Sequence, residues 1–387
     1  MVRELKIRLM ALIAFAAMSL FAAAPSANAP MNDGIDRTDP NFVKASLLVF
    51  GPGNELFSCA GHACIRLECP TYRLDYCFSY ESEAISEKVL TFFAGRLKMG
   101  MFAIPAEEFF KQYVDGGRGC RQYRLALPPA VKQRLWKIMD DKAAEGANLP
   151  YDYVRRGCAW SVLGCLRTAL NPLQLEVSSW PAKYDMTRRE ITSSELTEHP
   201  WKVFALHAIW GFETDREVTK IEKVLMPNDL LEFLKGAKVQ GVPVIIGEGV
   251  EVLPQKNVPR APFFTPMMAA TLFVLLAGVN LVRVRKSFID WIFLAIQTLA
   301  GLFFSYLVVF SSLPATGWNW LLVPFNPLPL LFWHWRRYWA WPFAGVLVAW
   351  EAFMLLSPHQ LTDPAYLVFA LAYILYFAKV GLAARQA

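Results

Sequence analysis

Two segments of the sequence contain residues that could carry out covalent chemistry. Cys158 follows two arginines and a glycine and opens an apolar segment that we predict to be a helix. A helix N-terminus and nearby cations lower the pKa of a thiol, and the resulting thiolate is a nucleophile. His62 follows Gly61 at the start of an apolar segment that we predict to be a strand. We therefore interpret Cys158 as a nucleophile and His62 as its general base.

Each of these residues also has a simpler interpretation. A cysteine outside the cytoplasm is commonly a disulfide partner, and a histidine beside a strand is commonly a structural hydrogen-bonding group. Cys165 shares the predicted helical face of Cys158 without its activating neighbours, so we interpret it as structural. Cys59, His62 and Cys64 are close in sequence, but their spacing is not that of a zinc site. The sequence has no GxSxG motif, and we expect no metal or other cofactor.

The composition excludes several classes of protein. Of the 387 residues, 55% are hydrophobic and only 19% are charged, whereas soluble globular proteins have about 25% charged residues. This deficit excludes a disordered chain and an ordinary soluble enzyme. The net charge of +6 is small for this length and does not favour nucleic acid as a partner. It is better explained by basic residues on one side of a membrane.

The N-terminus has the pattern of a secretory signal. Basic residues within 1–8 precede an apolar run, and small residues follow up to Ala29. Pro30 is unfavourable for cleavage at that point, so residues 1–29 are predicted to be a cleaved signal peptide or an uncleaved signal anchor. In both cases residues 30–260 emerge on the far side of the membrane.

The seven cysteines all lie between residues 59 and 165. Because the compartment outside the cytoplasm is oxidising, we expect pairing among them. Seven is an odd number, so at least one thiol stays unpaired within a monomer, and the sequence does not specify which one.

Residues 261–387 read as consecutive apolar segments of roughly membrane-spanning length. We predict about five membrane helices, at 263–282, 289–311, 318–335, 338–357 and 364–384. The third contains Pro324, Pro327 and Pro329, so it is predicted to be kinked or re-entrant. Lys and Arg follow the first, third and fifth segments and are missing from the alternate loops. This asymmetry predicts a cytoplasmic C-terminus, with residues 30–260 outside the cytoplasm.

Residues 30–260 have the pattern of an α+β domain rather than of a doubly wound sheet. Apolar segments bounded by turn residues predict strands at 44–50, 63–67, 75–80, 98–104, 122–127 and 244–246. Helical spacing of apolar residues predicts helices at 105–114, 128–147 and 157–170.

The order of these motifs resembles that of a known family. A Gly61-His62-x-x-x-Arg66 segment on an early strand, followed by a cysteine that opens a later helix, resembles the permuted NlpC-type papain-like fold. More closely, the chain with its membrane tail is similar to the Lnb family of bacterial lipoprotein N-acyltransferases. The residues that carry this similarity are Phe57, Ser58, Gly61, His62, Ile65, Arg66, Tyr151, Tyr153, Cys158, Asn319 and Asn326. The family usually has Asn before the cysteine, where this chain has Gly157.

The resemblance implies an activity and its partners. It implies that Cys158 accepts an acyl chain from a phospholipid as a thioester and passes it to the α-amine of a diacylglyceryl lipoprotein. The partners would be the phospholipid donor, the lipoprotein acceptor and the membrane. The residues assigned to substrate binding on this basis are Arg66, Tyr151, Tyr153, Asn319 and Asn326.

The third member of the catalytic set is left open by the sequence. If 63–67 and 75–80 form a hairpin, the residue facing His62 lies near Ser79, with Tyr80 and Glu81 beside it. Ser79 and Tyr80 are our first candidates to orient the imidazole, and Asp75 is a further option.

Two other functions fit the same residues. In a phospholipase or cysteine hydrolase, water would resolve the thioester on Cys158. In a non-catalytic periplasmic scaffold held by a helical bundle, Cys158 would instead be part of a disulfide.

Overall fold

The computed structural model describes residues 35–55, 58–83, 85, 87–152, 155–177, 183–282, 287–356, 360 and 362–385. The chain divides into two compact units, Met1–Asp39 and Pro40–Ala387. The predicted signal segment, residues 1–29, lies outside the described residues, as do Phe57 and Tyr153. In the first unit, the backbone N–H of Thr38 donates to Asp36 at 2.8 Å.

The described part of the second unit begins with a mixed α+β region. Its strands are β1 (Lys44–Phe50), β2 (His62–Cys69), β3 (Leu74–Ser82), β4 (Lys98–Pro105), β5 (Cys120–Arg124), β6 (Leu149–Pro150), β7 (Glu176–Val177), β8 (Lys183–Thr187), β9 (Glu217–Thr219), β10 (Ala237–Val239), β11 (Val242–Pro243) and β12 (Val250–Leu253). Its helices are α1 (Val89–Phe93), α2 (Ala106–Asp115), α3 (Pro129–Glu145), α4 (Cys158–Leu170), α5 (Arg188–Glu195), α6 (Pro200–Ile209) and α7 (Pro227–Lys235).

Seven strands form one antiparallel sheet in the order β12-β5-β1-β2-β3-β4-β6. Consecutive side chains of a strand point to opposite faces of a sheet, and in β1 both Leu47 and Leu48 are fully buried. One face packs against α3, α4 and α7, with Leu135, Val162 and Leu230 in its core. The opposite face packs against α2. Because helices cover both faces at β1, residues 47–50 of this strand form a continuous apolar segment.

The predicted strands and helices of this region are found with end shifts of a few residues, with one exception. The strand predicted at 244–246 was wrong: Ile245 forms only an isolated bridge with Leu125. Val244 instead follows directly on the β10–β11 hairpin, and its backbone N–H donates to the carbonyl of Ala237 in β10 at 2.9 Å.

The C-terminal region is helical and contains α8 (Pro266–Val282), α9 (Phe288–Phe310), α10 (Leu328–Leu331), α11 (Arg336–Leu356) and α12 (Ala365–Arg385). Among the described residues, three helical segments are long and apolar enough to cross a membrane: Phe288–Phe310, Trp333–Leu356 and Ala365–Arg385. These three helices correspond to the second, fourth and fifth predicted segments, and α8, in the first predicted segment, has 17 described residues.

The third predicted span, 318–335, forms short helical turns instead of one long helix. Prolines 324, 327 and 329 cause this, because proline has no N–H and its ring clashes with the preceding turn of a helix. The freed backbone is bonded within the protein: the side-chain amide of Gln297 donates to the carbonyl of Pro324 at 2.9 Å. Gly301 of α9 allows the close approach, since a Cβ there would lie 2.5 Å from the Cα of Asn326.

The helical region packs directly against α6. The Phe204 ring of α6 stacks on Tyr366 of α12 at 4.2 Å, and the Tyr366 hydroxyl donates to the carbonyl of Phe204 at 2.8 Å. The backbone N–H of Gly211 donates to Ala315 at 2.7 Å. Cys59, three residues before His62, is buried in the same hydrophobic cluster. The loop that leads into β2 therefore shares a hydrophobic cluster with α6 and the C-terminal helices.

Candidate active site

Gly61 and the β1–β2 pairing fix the position of His62. His62 is the first residue of β2 and pairs with Phe50, the last residue of β1. Gly61 has φ = +82°, and a Cβ there would lie 2.5 Å from the carbonyl oxygen of Phe50. Only glycine adopts this backbone conformation without strain. The turn thus places the imidazole at the end of the sheet.

Cys158 is the first residue of α4, and Gly157 forms its extended N-cap. The first N–H groups of a helix have no intrahelical acceptor, so they surround the sulfur with hydrogen-bond donors. The thiol is half-buried and free. Its sulfur is hydrogen-bonded to the imidazole of His62 and accepts a hydrogen bond from the backbone N–H of Ala63. The fold therefore brings together the two residues that we predicted to react.

The charges of these two groups stabilise each other. Burial lowers the pKa of His62, but the negative charges of Cys158 and Glu81 outweigh burial and raise its pKa to about 9. Burial raises the pKa of the Cys158 thiol, whereas the positive charge and hydrogen bond of His62 bring it below its ordinary value. Between these two pKa values the site is a thiolate–imidazolium pair, which is the nucleophilic form of a thiol.

The sequence-based cause for the lowered pKa of Cys158 was wrong. Arg155 and Arg156 were predicted to stabilise the thiolate, yet the charge that lowers its pKa belongs to His62. Arg155 forms an ion pair with Glu213, and Arg156 is exposed. The carboxylate of Glu213 neutralises the charge of Arg155. This partner is distant in sequence, so the residues around Cys158 do not indicate it.

Ser79 and Glu81 lie behind the imidazole. The Oγ of Ser79 is 2.7 Å from Nε2 of His62, and the Ser79 hydroxyl donates to Oε1 of Glu81 at 2.6 Å. Because the Ser79 hydroxyl donates its proton to Glu81, its oxygen accepts a hydrogen bond from the imidazole N–H. Ser79 is fully buried, so a chain of hydrogen bonds runs from the sulfur through His62 and Ser79 to Glu81.

Two other candidates for the third position point elsewhere. Tyr80 lies on the opposite face of β3, because neighbouring residues alternate in a strand, and its hydroxyl is 3.7 Å from the sulfur of Cys165. Asp75 accepts two hydrogen bonds from Arg66, at 2.8 and 2.6 Å. The structure therefore brings Ser79 and Glu81 to His62, and not Tyr80 or Asp75.

Ser79→Ala is expected to shift the pH profile of Cys158 alkylation to higher pH. The imidazolium loses its acceptor and its link to Glu81, so it stabilises the thiolate less. At a pH below the pKa of the variant thiol, the alkylation rate should fall about tenfold, the size of one charge-assisted hydrogen bond. Iodoacetamide labelling followed by peptide mass spectrometry measures this rate. Tyr80→Phe is the neighbouring control and should change it by less than about twofold; the reverse ranking would contradict the assignment.

Four of the predicted substrate-binding residues contact other parts of the protein. Arg66 is paired with Asp75 and also donates to Gln122 at 3.0 Å. Tyr151 packs against the core beside α4. The side chain of Asn319 donates to the carbonyl of Ala208 at 2.7 Å. That of Asn326 donates to the carbonyl of Val323 at 2.7 Å. Both asparagines also accept a backbone N–H two residues later and so cap short helical turns.

Two residues near the site were missed by the sequence reasoning. Tyr113 of α2 stacks on Phe50 at 3.8 Å, and its ring centroid is 6.5 Å from that of His62. The guanidinium of Arg118 lies 4.7 Å from the centroid of the Tyr113 ring. The only sequence signal is a glycine-rich turn around Arg118, which does not indicate its neighbours.

The cysteines differ from the prediction. We expected disulfides, but all seven cysteines are free in this structure. Cys64, Cys77 and Cys120 lie in one hydrophobic cluster on the α2 face of the sheet, where Cys64 is hydrogen-bonded to Cys77. Buried free cysteines pack as small apolar side chains and need no disulfide partner. In the part of the chain that the structure describes, no group of three or more His, Cys, Asp or Glu residues could hold a metal ion.

These features define a class of protein: an α+β domain with a half-buried cysteine–histidine pair, followed by a helical region with three candidate membrane spans among the described residues. Residues 32–194 match the family model described as the Lnb N-terminal periplasmic domain. They include Cys158, His62, Ser79 and Glu81, and the predicted resemblance to the Lnb family is confirmed over these residues. No curated protein and no solved structure matches the chain.

Proposed function

We propose that this protein is a thiol acyltransferase of the Lnb type. It would transfer an acyl chain from a phospholipid to the α-amine of a diacylglyceryl lipoprotein. The observation that carries the proposal is the hydrogen-bonded Cys158–His62 pair inside an Lnb periplasmic domain. The loop before His62 belongs to the hydrophobic cluster that also contains residues of the three candidate membrane spans, which supports a substrate that is delivered from a membrane.

The first half of the reaction forms a thioester. The thiolate of Cys158 attacks the ester carbonyl carbon of the phospholipid, so that a C–S bond forms and the ester C–O bond breaks. The imidazolium of His62 gives its proton to the departing alkoxide oxygen. The products are the acyl-enzyme, a neutral imidazole and a lysophospholipid.

The second half transfers the acyl chain to nitrogen. The free α-amine of the lipoprotein attacks the thioester carbonyl, an amide C–N bond forms and the C–S bond breaks. Neutral His62 takes the proton from the amine nitrogen, while Ser79 and Glu81 hold the ring and stabilise its positive charge. The thiolate–imidazolium pair is thereby restored.

Negative charge on the carbonyl oxygen has donors available near Cys158. The sulfur lies at the N-terminus of α4, whose first N–H groups have no intrahelical acceptor. Such preorganised donors stabilise a tetrahedral intermediate, and the loss of one commonly lowers the rate about 10²- to 10³-fold. The chemistry of both half-reactions is thus supplied by side chains and backbone groups.

The proposed organisation in the cell follows from the same activity. Residues 30–260 would form the periplasmic catalytic domain, residues 261–387 the membrane domain, and residues 1–29 a signal peptide or anchor. The catalytic thiol would then face the outer leaflet of the bacterial inner membrane, with the C-terminus in the cytoplasm.

Acyl-enzyme analysis tests the function. Detergent-solubilised full-length protein is mixed with phosphatidylethanolamine vesicles, without and with a diacylglyceryl-cysteinyl lipopeptide. The masses of the protein and of the peptide are then measured by mass spectrometry. We expect a hydroxylamine-sensitive acyl group on Cys158 without the acceptor, and an N-acylated lipopeptide with it. Cys165→Ala, which removes another thiol of the same helix, should still form both species.

The other outcomes separate the alternative functions. Release of free fatty acid in place of N-acylated peptide would indicate a phospholipase or hydrolase. Unmodified protein and unmodified peptide would contradict the transferase proposal and favour a non-catalytic scaffold.

A further inference from the structure

Arg118 differs from the other partly buried arginines of the α+β domain. Arg66, Arg188 and Arg189 each pair with a carboxylate, namely Asp75, Glu222 and Asp215 respectively. Among the described residues, Arg118 pairs with no carboxylate, and the only hydrogen bond of its guanidinium runs from Nε to the carbonyl oxygen of Gly51 at 3.0 Å. Its Nη2 is buried and has no hydrogen-bond partner among these residues.

This guanidinium is part of the surroundings of the Cys158 thiol. Its positive charge interacts with the negative charges of Cys158 and Glu81 and opposes that of His62. The carbonyl of Gly51 holds it on one side, and the Tyr113 ring lies 4.7 Å away on another. A guanidinium has five N–H donors, of which only the one on Nε is hydrogen-bonded within the described residues. Arg118 is therefore a fixed cation with unused donors, and it lies against Tyr113, whose ring centroid is 6.5 Å from that of His62.

A buried charged donor without a partner is costly, so such a group is most easily explained by an anion that arrives with the substrate. The proposed reaction has three reactive parts: a thiol, an acyl donor and an amine acceptor. The amine and its diacylglyceryl group carry no negative charge near the reacting atoms. The phospholipid donor does, because its phosphodiester is attached to the same glycerol as the ester that is cleaved.

We infer that Arg118 binds the phosphate of the glycerophospholipid donor and selects phospholipids over neutral acylglycerols. This inference rests on the proposed acyl transfer. Guanidinium and phosphate match in geometry, since two parallel N–H groups can bind two oxygens. Arg118 would thereby place the glycerol ester against the sulfur of Cys158.

Acyl donors with and without a phosphodiester headgroup test the inference. Full-length protein is mixed with dioleoyl phosphatidylglycerol, dioleoyl phosphatidylethanolamine or dioleoylglycerol in the same detergent, and acylation of Cys158 is followed by mass spectrometry. Arg118→Gln should lower the rate about 10- to 100-fold with both phospholipids, the size of a charge-assisted contact. With dioleoylglycerol the change should be less than about threefold. Arg118→Lys should retain part of the phospholipid rate as a point charge.

Binding without chemistry provides a second measurement. A diether phospholipid has no ester and cannot be cleaved, so its binding is seen as protection of Cys158 from iodoacetamide. We expect protection in the wild type and its loss in Arg118→Gln, while a diether glycerol without phosphate protects both proteins equally.

The outcomes distinguish this inference from the proposed function. An equal loss with charged and neutral donors would overturn it and show that Arg118 acts on the thiolate or the oxyanion. An unchanged rate with all donors and unchanged protection would overturn it as well. Phosphate-dependent protection without any acylation of the wild type would retain the role of Arg118 in binding, and would contradict the acyl transfer instead.

Discussion

Cys158→Ser is expected to lower acyl transfer by at least about 10³-fold, the scale of losing a covalent nucleophile. A serine hydroxyl ionises far less readily than a thiol, and the His62 charge that stabilises a thiolate does not make it a comparable nucleophile. The variant should fold normally, because the sulfur is half-buried and the replacement is smaller. Formation of N-acylated lipopeptide, measured by mass spectrometry, reports the loss.

A matched test in cells uses a bacterial strain that lacks its own lipoprotein N-acyltransferase. The wild-type chain and Cys165→Ala should restore N-acylation, whereas Cys158→Ser and Cys158→Ala should not. Cys165 lies on the same helix and contacts Tyr80 in the core, so its replacement controls for loss of a buried thiol. Restoration by Cys158→Ala at equal protein abundance would contradict a nucleophilic role.

His62→Asn is expected to lower acyl transfer about 10²- to 10⁴-fold, the range of a general acid–base contribution. In the wild type, the positive charge of His62 holds the pKa of Cys158 below its ordinary value. Without that charge, burial alone acts on the thiol and its pKa rises. The pH profile of Cys158 alkylation should therefore move to higher pH in the variant, which iodoacetamide labelling over a pH series measures directly.

The rate of acyl transfer by the wild-type protein should also fall at high pH, where His62 loses its proton. The pKa of His62 is raised to about 9, so its proton is present below that pH and is lost above it. Transfer should rise with pH as Cys158 ionises and fall again as pH passes about 9. An alkylation profile that is identical in wild type and His62→Asn would show that the imidazole does not act on the thiol.

The helical elements show where sequence patterns succeed. The apolar spacing from Cys158 to Leu170 is local, and the observed helix covers the same residues. The two long apolar segments that became α9 and α12 were also predicted within a few residues. Segment 318–335 has enough apolar residues for a span, but its prolines prevent one long helix. Average hydrophobicity does not reveal how the backbone groups of such a segment are hydrogen-bonded. Here one of its carbonyl groups accepts a hydrogen bond from Gln297 in another helix.

The sequence by itself indicated the Cys158–His62 pair and the Lnb domain that contains it. A glycine before His62 and a helix start at Cys158 are properties of neighbouring positions, so they can be recognised without coordinates. Only the tertiary structure decided what surrounds the pair. The pairing of β2 with β3 selects Ser79 over Tyr80, because a strand places adjacent side chains on opposite faces. The return of α2 and β5 to this edge places Arg118 against Tyr113, whose ring centroid is 6.5 Å from that of His62, and such distant contacts depend on how the sheet is assembled.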